Sequence, residues 1–196
     1  MRMEIFKDKD TLLVILGASI SLISSLLILL IQVLIERILS NRGKVRIYIK
    51  SVYSKGTQKP WGFYSLDGKK LFIVPLWIEI HNTKSVRQIV RNINLVLYNN
   101  KKKVAKMTQL SHFEKSKELI SYGENGAYSF LLEANEIKRF DLEFTIFQKE
   151  FNTNFNEVKI SYFDSKDKYH EFKIFDIDEP WTVSNNKIDD DWRSIN

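Results

Sequence analysis

Residues that could carry acid–base or metal chemistry are few and dispersed. His81, His112 and His170 stand in three separate segments, and none has a second ligand-type residue at a metal-binding spacing. His170 alternates in step with Phe172, the position of a packed strand residue. Asp141 and Glu143 alternate opposite Phe140 and Phe144, which assigns them to a solvated strand face. The Asp189-Asp190-Asp191 run could hold a cation weakly or simply be solvated. Cysteine is absent, so disulfides, thiolate zinc sites, cysteine nucleophiles and iron–sulfur clusters are excluded. No Gly-rich phosphate loop, GxSxG elbow or HExxH motif occurs. The expectation is a protein without catalytic residues, metal or cofactor.

Basic residues offer the more specific chemistry. The 196-residue chain carries 30 Lys and Arg against 24 Asp and Glu, a formal charge of +6. The surplus is localised: residues 40–175 hold 24 against 14, whereas residues 176–196 hold 2 against 6. Lys101-Lys102-Lys103 with Lys106, together with Lys84, Arg87 and Arg91, form the densest stretch. Three readings follow. Anionic lipid headgroups attract nearby cations at about 1 kcal/mol each. A nucleotide-like or nucleic-acid anion could use Tyr and Phe for base stacking. A lysine-rich hairpin also keeps a sheet edge from pairing with other chains. Upstream, Lys59-Pro60-Trp61-Gly62-Phe63-Tyr64 would either form an aromatic binding lip or fold back to close one end of the core.

These residues need elements to position them, and the first is unmistakable. Thr11 to Ile35 holds 25 residues without a charge, interrupted only by serines, Thr11, Gly17 and Gln32 among its non-aliphatic positions. At about 1.5 Å per residue this crosses a hydrocarbon layer of roughly 30 Å. A signal peptide would have an apolar run of about 7–15 residues ending in small residues; this one runs on into Glu36-Arg37. We therefore assign residues 11–39 to a retained single transmembrane helix, preceded by a tail of residues 1–10. Arg37, Arg42, Lys44, Arg46 and Lys50 outnumber Arg2, Lys7 and Lys9, which predicts that the following domain is cytoplasmic. Gly17, Ser21 and Ser25 recur every four residues, with Gln32 seven further on. Such a face lets two helices approach closely and predicts homo-oligomerisation within the bilayer.

From Lys44 the pattern becomes alternating, which predicts strands with one buried face. Val45/Ile47/Ile49, Leu76/Ile78/Ile80, Ile93/Leu95/Leu97, Phe140/Leu142/Phe144/Ile146, Val158/Ile160/Tyr162 and His170/Phe172/Ile174 each alternate with polar or outward residues. Lys101–Thr108 and Ala127–Glu133 add two further strands, and His112–Ile120 reads as a short helix or an irregular crossover. Turns are marked by Leu66-Asp67-Gly68, Asn99-Asn100, Gly123-Glu124-Asn125-Gly126 and Asp164-Ser165-Lys166-Asp167. Residues 44–175 thus form an all-β domain, an antiparallel sandwich or small barrel. Residues 176–196 read as a mobile acidic tail in which Trp181 could dock.

The His81-Asn82-Thr83-Lys84-Ser85 turn and the Val86–Leu97 strand resemble the B-to-C region of small bacterial membrane-anchored immunoglobulin-like domains. Leu131–Glu136 leading into Phe140–Phe147 resembles the turn before their E strand. That likeness implies a fold and no activity. The layout, an apolar helix followed by a compact basic β-domain, is also similar to membrane effectors of cyclic-oligonucleotide antiphage systems, although those carry two membrane helices. Two functions are expected from this. The first is a non-enzymatic single-pass protein whose β-domain binds a partner protein or an anionic membrane surface. The second is a sensor in which a nucleotide-like ligand drives assembly through the helix and disrupts the bilayer.

Overall fold

A computed structural model describes residues 9–112, 119–121, 129–151 and 153–195. The chain divides into two units, residues 1–42 and 43–196. The described residues of the first form one helix, α1 (Lys9–Asn41), whose Leu, Ile and Val side chains are exposed on every face. Its 33 residues are long and apolar enough to cross a membrane.

The described residues of the second unit form thirteen strands: β1 (Val45–Ser51), β2 (Gly62–Leu66), β3 (Lys69–Asn82), β4 (Gln88–Asn99), β5 (Lys102–Lys106), β6 (Thr108–His112), β7 (Leu119–Ser121), β8 (Ser129–Leu132), β9 (Ile137–Phe147), β10 (Glu157–Phe163), β11 (Tyr169–Asp176), β12 (Ser184–Asn185) and β13 (Arg193–Ser194). They form two antiparallel sheets that do not close into a barrel. In the first sheet β3 carries β9 along one edge, and β2 and β1 in tandem along the other. Pro75 falls between the stretches of β3 paired with β2 and β1, and its carbonyl accepts from the Val52 N–H at 3.2 Å. A missing N–H is tolerated there because no ladder bond requires it. In the second sheet β4 is flanked by β10 on one side, and by β8 and β5 in tandem on the other. Asn92, at φ +55°, sits between the segments paired with β8 and β5.

The inward positions of both sheets make one core. Ile47, Ile49, Phe72, Val74, Leu76, Ile78 and Ile80 meet Ile93, Leu95, Leu97, Val158 and Ile160. The alternation read from the sequence therefore places the right side chains inside. Trp61 folds back rather than forming a lip: its ring stacks on Phe175 at 4.0 Å and its N–H donates to the Lys187 carbonyl.

Two expectations are corrected. The His112–Ile120 stretch begins and ends in strand, since His112 pairs with Leu119 and Ser111 with Ile120; residues 113–118 lie outside the described residues. Nor is the 176–196 segment a free tail. Ile177 and Trp181 are buried in the core, and Trp181 lies against Phe63, Phe151 and Phe155. β12 then pairs with β2, and β13 with β1. The acidic run is part of this attachment: Asp189 accepts from the Ser51 N–H at 2.7 Å and its own N–H donates to Ser51 Oγ. Six carboxylates dominate the segment's composition, but burial of two large apolar side chains decides its placement.

Candidate functional site

A cleft of about 500 Å³ opens where the edge of the first sheet meets the second. Five chain segments line it: Gly43 to Arg46 with Tyr48, Lys84, the start of β4 (Gln88–Val90), the β10–β11 turn with its flanking Tyr162 and His170, and Ser194 of β13. The volume lies within the range of small-molecule sites, roughly 300–1,000 Å³.

Hydrogen bonds fix the walls. Thr83 clamps the entering chain, donating from its backbone N–H to the Lys44 carbonyl at 3.0 Å and accepting the Lys44 N–H on Oγ1 at 2.8 Å. Gly43 makes this approach possible: at φ +90°, a Cβ on it would sit 2.3 Å from the Thr83 carbonyl oxygen. Buried Gln88 accepts on Oε1 from Ser165 Oγ at 2.7 Å and from Lys84 Nζ at 3.4 Å, tying the β10–β11 turn to the β3–β4 turn. Asp164 organises its own turn by accepting the N–H groups of Lys166 and Lys168 at 2.8 and 3.0 Å. Its other oxygen lies 2.9 Å from His170 Nε2. Burial works to raise the Asp164 pKa, but the hydrogen bonds from His170 and from the Lys168 and Lys166 amides outweigh it and hold the carboxyl below its ordinary value.

Electrostatically the cleft favours an anion. Lys44, Arg46, Lys84 and Lys166 line it, and none of the four has a carboxylate partner among the described residues. Among the described residues the only lining carboxylate, Asp164, is already engaged by His170 and two backbone amides. Flat walls are also present. Tyr162 and His170 stack at 5.0 Å between centroids, and Tyr48 lies on the opposite lip, 4.7 Å from the His81 ring. The His170–Asp164 pair does not extend into a nucleophile relay, because the neighbouring Ser165 hydroxyl donates to Gln88 instead.

The sequence-derived basic candidates do not gather at one place. Lys84 lines the cleft. Arg87 is turned to solvent in an ion pair with Glu133, and Arg91 is paired with Asp167 beside the Phe163 ring. Lys101, Lys102 and Lys103 stand exposed on the β4–β5 hairpin, at the far end of β4, whose 12 residues extend about 40 Å. Lys106 is partly buried beside Asn92, and burial with the nearby charge of Lys103 lowers its pKa. β5 is an edge strand of the second sheet, so its lysines occupy the place where edge protection is needed.

In α1, Gly17 has open space around it, Ser25 Oγ donates to the Ser21 carbonyl at 2.9 Å, and Gln32 is exposed. His81 is held by Glu79 at 2.6 Å, and the His112 side chain lies outside the described residues. Among the described residues no three His, Asp or Glu side chains are grouped to hold a metal. The cleft residues absent from the sequence reading as site residues include Lys44, Arg46, Tyr48, Gln88, Tyr162, Ser165 and Lys166. The one local signal among them is the Asp164–Asp167 turn, which indicates a bend and not a site.

The chain matches no family model, no characterised protein and no solved structure.

Proposed function

We propose that this protein is a non-enzymatic, single-pass membrane receptor whose β-sandwich binds a small anionic ligand carrying a planar ring, of nucleotide type. The observation that carries this reading is the convergence of Lys44, Arg46, Lys84 and Lys166 on one cleft whose carboxylate Asp164 is internally engaged. Arg46 offers a planar fork for a phosphate and the lysines offer point charges. Tyr48 and His170 offer ring surface for a base, with His170 backed by the buried Tyr162 ring.

The helix is the membrane anchor in this reading, and its Gly17, Ser21, Ser25 and Gln32 face is where two copies meet. Two cleft-lining residues, Gly43 and Lys44, follow the last helical residue by two and three positions, so ligand contacts fall on the segment joining the receptor to its anchor.

Calorimetric titration of the detergent-solubilised chain with nucleotides, nucleosides and inorganic phosphate tests the reading. Nucleotides should bind more tightly than phosphate, and nucleosides hardly at all, because both the charge and the ring are used. Failure of every phosphorylated ring compound to bind would remove the ligand assignment. Gly17→Leu should lower cross-linking between copies in membranes; unchanged cross-linking would remove the helix-contact assignment.

A further inference from the structure

We infer that the end of the sandwich at which the chain enters the domain is a docking surface for an anionic phospholipid bilayer. This rests on α1 being the membrane anchor, and it uses residues beyond those of the ligand cleft.

Exposed apolar side chains are concentrated at this end. Among the described residues of the β unit, eight large hydrophobic side chains are exposed, and Val86, Ile89, Leu131 and Ile137 are four of them. All four lie in or beside the β3–β4 and β8–β9 turns. Ile89 and Leu131 are direct cross-strand partners, so their side chains stand together on one face. Asn82 holds the two turns side by side, its Nδ2 donating to the carbonyls of Val86 at 2.9 Å and Glu133 at 2.7 Å. The Ile89–Leu131 pair, with Val86 and Ile137 on the neighbouring turns, therefore belongs to a braced end of the sandwich.

The charge around it is one-sided. Every carboxylate of these turns and of the β10–β11 turn has a basic neighbour: Glu133 with Arg87, Glu136 with Lys138, Asp164 with His170, and Asp167 with Arg91. Lys44, Arg46, Lys84, Lys166 and Lys168 remain without a carboxylate partner among the described residues. Exposed aliphatic residues ringed by surplus lysine match a negatively charged headgroup layer, where apolar side chains enter the acyl boundary and cations face phosphates. A protein partner fits less well, because protein interfaces are enriched in aromatic residues and depleted in lysine. Lys44 follows the last helical residue by three positions, so in an anchored protein the chain keeps these turns within reach of lipid.

The test uses the β unit alone, residues 43–196, which contains the whole core. It is sedimented with vesicles of pure phosphatidylcholine and with vesicles enriched in phosphatidylglycerol. Binding is expected only to the anionic vesicles, and it should weaken as salt is raised. Leu131→Ser with Ile137→Ser, and separately Lys168→Glu, should each lower vesicle binding about tenfold. Leu131 and Ile137 do not line the cleft and carry no charge, so nucleotide affinity should be unchanged in the Leu131→Ser/Ile137→Ser variant. No binding to anionic vesicles, equal binding to neutral ones, or full retention by the Leu131→Ser/Ile137→Ser variant would each overturn the inference. A cleft that binds no nucleotide would leave these vesicle outcomes intact, which separates the two readings.

Discussion

Two basic regions of this protein differ in every respect but charge. Lys101, Lys102 and Lys103 are consecutive, exposed, and carried on the hairpin leading into an edge strand. Lys44, Arg46, Lys84 and Lys166 are spread over more than a hundred residues, yet the fold brings them around one cleft with ring-lined walls. Contiguous charge on a hairpin mainly solvates it and blunts the edge. Convergent charge, beside a carboxylate already engaged, creates a local potential that an anion can neutralise. The density of lysine along the chain is thus a poor guide to a site, and the convergence of separate segments is a better one.

The largest effect that would sharpen this contrast is a charge reversal on each side. Arg46→Glu with Lys84→Glu should weaken nucleotide binding by about 100-fold or more, since like charges at a few ångströms cost several kcal/mol at an effective dielectric constant of about 20. Lys101→Glu with Lys102→Glu and Lys103→Glu should change it by no more than about twofold, apart from long-range screening. Titration calorimetry on both variants reads the difference, and equal losses would collapse the distinction.

Next comes the joint at the cleft wall. Gly43→Ala places a Cβ against the Thr83 carbonyl at a positive φ and should destabilise the domain by about 1–3 kcal/mol in urea unfolding. Gly68→Ala also meets a positive φ but has open space around its Cβ, so it should cost less. A Gly43→Ala domain as stable as the parent would show that the Lys44–Thr83 clamp does not hold the wall.

Edge protection gives a smaller, colloidal effect. Lys102→Thr with Lys103→Thr should leave the unfolding midpoint within experimental error and raise aggregation of the isolated domain, measured by light scattering. Unchanged scattering would mean that these lysines do something other than guard the edge.

The smallest effect is a pH dependence of the cleft turn. Because the Asp164 pKa is depressed on folding, its contribution to stability is present above the ordinary aspartate range, near pH 4. It is lost as pH falls through the lower folded value. Asp164→Asn should therefore flatten part of the stability loss below about pH 4, as followed by thermal unfolding across that range. An unaltered acid limb would mean that the hydrogen bonds to Asp164 do not favour its charged form.

Much of the fold was legible because burial imposes a period. Ile47 and Ile49, Ile93 to Leu97, Leu142 to Ile146 and Val158 to Tyr162 all face where alternation puts them. β2 was harder to read, since Gly62–Leu66 follows Pro60-Trp61 and suggests a loop; it is a strand because it pairs with Leu71 to Ile73 of β3. β12 and β13 were invisible, each two residues long and stabilised only by their partners. Of the cleft's cations, Lys84 alone belongs to the basic stretch that the sequence marks as an anion candidate. Tyr48 and Tyr162 carry no mark in the sequence beyond their places on two strands, and they meet one cleft because the two sheets stack.

The sequence by itself determined the apolar helix and the alternating strands, because hydrophobicity and its period act over a few neighbouring residues. It also determined the absence of thiol chemistry. Only the tertiary structure decided that the acidic C-terminal segment is stitched into the sandwich, and that four distant cations share a cleft. Both depend on contacts between segments far apart in the chain, and no local pattern encodes which distant strand will lie alongside.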